Sequence, residues 1–82
     1  MIKKNEFSAW LGENTHYSPA VVSDIVSRMK RADSIKEWDD SETYLFYLEK
    51  EQAFQQLTMC VKSQMRKAVR LYSSFAVPEK DK

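Results

Sequence analysis

The chain has 82 residues, 43% of them hydrophobic and 30% charged, with a formal net charge of +1. That length suits one domain near the lower limit of what a single core stabilises, and the composition excludes a disordered chain. The single cysteine, Cys60, excludes an internal disulfide, and apolar runs of only a few residues exclude a membrane-spanning helix.

The opening Met1-Ile2-Lys3-Lys4-Asn5-Glu6 has no apolar stretch behind its lysines, so it does not read as a secretory signal. With a lone thiol, this points to a reducing, cytoplasmic location. One glycine and two prolines disfavour a β-rich domain with many tight turns, and an all-α fold is expected.

The first helical segment is expected from about Lys4 to Leu11, with Phe7, Trp10 and Leu11 at i, i+3, i+4. Gly12 is placed as the residue that ends it, and 13–17 as a loop. Ser18 then offers an N-cap and Pro19 the first helical position. Val22, Ile25, Val26 and Met29 follow as one apolar stripe, with Ser27 and Arg31 opposite and Arg28 and Lys30 flanking it. This segment is expected to end near Asp33.

A third helix is predicted from the capping-box spacing of Asp39 and Glu42, through Tyr44-Leu45-Phe46-Tyr47-Leu48, to about Glu51. On propensity those five residues suit a strand, but no second strand-like run exists to pair with them. The fourth segment is the longest, capped by Thr58 and running to Ala76. Val61, Met65, Ala68, Val69, Tyr72, Phe75 and Ala76 lie on one side, while Lys62, Arg66 and Arg70 lie opposite with Lys67 beside them. Beyond Val77-Pro78, residues 78–82 read as a mobile charged tail to the single domain formed by 1–77. The predicted architecture is a compact four-helix orthogonal bundle. Its core is drawn from Trp10, Val22, Ile25, Leu48, Val61, Met65, Val69 and Tyr72.

Catalytic parts are few. His16, the only histidine, sits in a loop with no nucleophile motif around it, and a solvated side chain is its ordinary reading. Asp39 and Asp40 stand at a helix start, where capping explains acids better than catalysis does. One glycine is too few for a phosphate-cradling loop, and one histidine with one cysteine is too few for zinc. No enzymatic activity, cofactor or metal is therefore expected. Cys60 reads as a packing residue.

Charge is unevenly distributed. Residues 33–51 carry seven acids and two lysines, whereas 52–78 carry four basic residues and no acid. Arg28, Lys30 and Arg31 late in the second segment, with Lys62, Arg66, Lys67 and Arg70 on the last, form the one constellation suited to binding phosphates. Ser27, Ser63 and Gln64 stand beside them with polar groups for phosphates or base edges. The ordinary alternative is a solvated helix face.

Three stretches carry a family resemblance: Glu6-Phe7-Ser8-Ala9-Trp10-Leu11, Tyr17-Ser18-Pro19-Ala20-Val21-Val22, and Ser63 through Phe75. Over about residues 6–75 the chain resembles the SAM-like N-terminal core-binding domain of tyrosine recombinases and phage integrases. The resemblance implies a module that clamps double-stranded DNA, with its second and fourth helices toward the backbone and major groove. By position it assigns DNA contact to Arg28, Lys30, Arg31, Lys62, Arg66, Lys67 and Arg70. Recombinases carry their Arg, His and Tyr catalytic residues in a separate domain, so strand cleavage is not expected of these residues. A competing class is a protein-interaction module, such as a small regulator or phage-encoded inhibitor. It would dock through the acidic, aromatic third segment around Phe46.

Overall fold

The structure is a computed structural model that describes residues 2–41 and 43–76. Among these, all regular structure is helical: α1 (Lys4–Asn14), α2 (Pro19–Ile35), α3 (Tyr44–Leu48), α4 (Gln52–Gln55) and α5 (Met59–Ala76). Five helices thus replace the four expected, because the third segment is split. No helix among the described residues is long and apolar enough to cross a membrane.

In α1, Phe7 and Leu11 are fully buried. The helix runs through Gly12, which has no positive φ, so the expected glycine stop is not there. Side chains end the helix instead. The Asn14 amide donates to the Trp10 carbonyl at 2.9 Å, and both the hydroxyl and the backbone N–H of Thr15 donate to the Leu11 carbonyl. Such local bonds offer the last carbonyls partners that continued helix would otherwise supply.

At the start of α2 the Ser18 hydroxyl accepts from the Val21 N–H at 3.3 Å, with Pro19 at the first helical position. Val22, Ile25, Met29 and Ala32 form its buried stripe, and the helix extends two residues past Asp33. The Thr58 hydroxyl caps α5 in the same way, accepting from the Val61 N–H at 3.2 Å. Met65, Ala68, Val69 and Tyr72 are its buried face. Residue for residue, six of the expected core positions are buried, while Trp10 is partly buried against that core and Val61 is partly buried outside it. Val61 lies in the first turn of α5, at the end of the apolar stripe.

The largest departure is between α2 and α5. Residues 36–41 and Thr43 are not helical. They are pinned by Trp38, whose N–H donates to Asp33 at 2.9 Å and whose indole N–H donates to Asp40 at 2.6 Å. Asp40 takes φ 60°, the left-handed region that a short polar side chain tolerates better than most. Asp39 caps no helix; its carboxylate accepts from the Ser41 N–H in a local turn. Glu42, the other half of the expected capping box, lies outside the described residues, as do 77–82 with the expected tail.

Tyr44 to Leu48 are helical rather than extended, but the helix stops there, and Glu51 is extended (ψ 135°) before α4. The side-chain directions explain the break. In one continuous helix Phe54 would point about 120° round from Leu48, away from the core. The extended step at Glu51 turns it inward, where it is 1% exposed.

Buried aromatic rings join the elements. Tyr72 meets Phe7 edge-on at 4.9 Å and Trp38 at 4.9 Å, and Trp38 in turn meets Tyr44 at 4.8 Å. The Tyr72 hydroxyl accepts from the Lys3 N–H at 3.1 Å. The Tyr44 hydroxyl reaches the carbonyls of Ala32 and Lys36 at the end of α2. Burial, with Asp33 and Asp39 nearby, raises its pKa well above the ordinary tyrosine range.

Candidate nucleic-acid interface

The packing of α2 against α5 and α1 decides where the basic side chains go. Its apolar stripe is consumed by that packing, so its other half is a solvent-facing ridge carrying Ser23, Ser27, Lys30, Arg31 and Ser34. A groove lies on either side of the ridge, and Ser27 lines both.

On the α5 side, a groove of about 260 Å³ is lined by Asp24, Arg28, Arg31, Val61 and Gln64. Two of the expected cations, Arg28 and Arg31, are therefore brought together with Gln64, a polar neighbour also singled out from the sequence. On the α1 side, a larger groove of about 650 Å³ takes in Lys30. It also takes in Lys4, which sequence reasoning passed over. The apolar spacing of the first segment says nothing about Lys4, which joins Lys30 only when α1 packs against α2.

The four basic residues of α5 do not form one strip. Arg66 donates from Nε to the Glu49 carboxylate at 2.9 Å and stands over the Phe54 ring at 5.7 Å. It fastens the α3–α4 region to α5. Lys62 is half-buried on that flank. Arg70 is exposed beside Trp38, Ser41, Tyr44 and Leu45. Lys67 lies over the Tyr17 ring at 4.8 Å, and Tyr17 itself lines the α1–α2 groove. The seven candidates thus divide into an α2 group of three, Lys67 near the α1–α2 connection, and three residues on the α3 side of α5.

Outside this surface, Phe46 and Tyr47 on α3 are 57% and 52% exposed. Their rings meet edge-on at 5.2 Å, with the Lys50 ammonium 4.6 Å above Phe46. His16 is exposed in the α1–α2 connection and Cys60 is exposed early in α5. The expectation that Cys60 serves as a packing residue is thereby corrected. Its position in the first turn of α5 lies outside the buried stripe. No group of three or more histidine, cysteine or acidic side chains placed to hold a metal is present among the described residues.

Compared with protein-family models, with curated proteins and with solved structures, the chain finds no match in any of the three.

Proposed function

We propose that this chain is a non-enzymatic DNA-binding module, a SAM-like helical bundle of the integrase core-binding kind, that contacts the backbone of double-stranded DNA. The observation that carries this is the sorting of charge around α2. Arg28, Lys30 and Arg31 occupy its outward half and the grooves beside it, with Asp24 the only acid among the residues lining those grooves. Guanidinium and ammonium groups in such a cluster bind phosphates by Coulomb attraction and release of counterions. Gln64 and the serines on the ridge add hydrogen-bonding groups for phosphate or base edges. Lys67 extends the basic surface toward Tyr17. Lys62, Arg66 and Arg70 are peripheral to it, because Arg66 is held by Glu49 and Arg70 lies beside the acidic linker segment.

The test is duplex binding by fluorescence anisotropy at about 50 mM salt, where electrostatic association is strong. Arg28→Glu with Arg31→Glu is expected to abolish binding while leaving the helical circular dichroism intact. Each phosphate contact removed flattens the slope of log affinity against log salt by about 0.9. Wild-type protein that fails to bind duplex at this salt overturns the proposal.

A second reading, a protein-interaction module, is favoured by one observation, the exposed Phe46–Tyr47 pair in an acidic segment. Aromatic side chains are the usual anchors of protein interfaces. Phe46→Ala leaves duplex binding unchanged if DNA is the partner, and removes capture of a protein partner if it is not.

A further inference from the structure

We infer that the groove between α1 and α2 seats one phosphodiester strand, with Gly12 left bare so that the strand can approach the α1 backbone. This rests on the DNA reading above and extends it to residues that reading does not use: Lys4, Ser8 and Gly12.

The first support is that, among the described residues, no acid lines the groove although α1 carries two. Lys4, Ser8 and Gly12 from one wall face Ser23, Ser27 and Lys30 from the other. The acids of α1, Glu6 and Glu13, sit more than about 120° round the helix from the middle of that row. Asp24 of α2 lines the opposite groove. What remains is an ammonium on each wall at one end and hydroxyl groups along the length, a donor set that matches the oxygens of a phosphate chain. Between Pro19 and Lys30 the groove follows about 16 Å of α2. Successive phosphates rise about 3.4 Å along the duplex axis and lie roughly twice as far apart along the strand itself, so about two or three fit in that length.

The second support is Gly12 itself. Glycine inside a helix weakens it relative to alanine and needs a reason. Neither usual reason holds here. Gly12 does not take a positive φ, and a methyl group built on its Cα meets no atom within 4 Å. Nothing in the fold therefore demands glycine at this position. The open space is the groove, where a side chain would stand in the path of a bound chain, and a bare Cα lets it approach.

The experiment uses the full 82-residue chain and random duplex at about 50 mM salt. Gly12→Gln is expected to raise the melting temperature or hold it, because glutamine is the better helix former, and to weaken binding tenfold or more. A residue with only a structural role moves both quantities the same way. Lys4→Gln with Lys30→Gln is expected to flatten the salt slope by about 1.8, two contacts at about 0.9 each. The chain's one glycine also gives a single amide resonance that is expected to shift on titration with duplex. If Gly12→Gln and the lysine pair bind like wild type while Arg28→Glu with Arg31→Glu does not, the groove is not the seat and the DNA reading stands. If wild type does not bind duplex, the DNA reading fails and the groove assignment fails with it.

Discussion

Asp40 combines a backbone cost with a side-chain gain. Its φ of 60° costs an ordinary residue on the order of 1–2 kcal/mol. Its carboxylate accepts the indole N–H of Trp38, a ring 9% exposed that otherwise has no way to satisfy that donor from the core side. Asparagine keeps both the tolerance for this backbone region and an accepting oxygen, so Asp40→Asn is expected to be nearly neutral. Asp40→Ala loses both and is expected to cost about 1–3 kcal/mol, measured by urea denaturation. Equal stability of the two variants would show that the indole bond contributes nothing. Arg66 illustrates the opposite case, a residue whose ion pair is not legible in the sequence because its partner is 17 positions away. Helical spacing places it off the buried stripe, and so it is. Spacing along one helix says nothing about an acid arriving from another segment.

Among the elements, α2 and α5 were the most legible, and for a definite reason. Each is long, has a hydroxyl N-cap that bonds as expected, and shows apolar residues at 3.6-residue intervals, so local and tertiary preferences agree. Replacing Ile25 or Val69 by alanine is expected to cost about 2–4 kcal/mol for isoleucine, and less for the smaller valine, through lost burial and a residual cavity. Melting temperatures of both variants close to wild type would contradict their burial at 5% and 2% exposure. The stretch from Lys36 to Leu57 was poorly legible. Its course is set by Trp38, Tyr44 and Phe54 reaching across to α2 and α5, and such contacts leave no periodic trace in a short segment. The candidate interface was half legible for the same reason. Arg28, Lys30 and Arg31 follow from α2 alone, whereas Lys4 joins them only through the packing of two helices.

At the scale of the whole molecule, the described residues occupy 34 × 31 × 20 Å, and one connected core of buried side chains joins the two longest helices with α1, α3 and α4. No part of that core is separable, so unfolding is expected to be a single cooperative transition. Far-ultraviolet circular dichroism and tryptophan fluorescence, which reads Trp10 and Trp38 in different segments, should give coincident urea curves. Divergent midpoints would mean that the Trp38 linker unfolds on its own.

The position of Tyr72 has a consequence for how the molecule is made. Phe7 and Trp38 both rest against its ring, and Lys3 bonds its hydroxyl. Yet Tyr72 belongs to α5, which leaves a ribosome after α1 to α4. At about 5–20 residues per second, roughly 3–13 s separate the synthesis of Phe7 from that of Tyr72. During that interval α1 and α2 can pair locally, but Phe7 of α1 lacks the Tyr72 ring that covers it. The nascent chain must therefore remain soluble on its charged residues until α5 arrives and closes the core from behind.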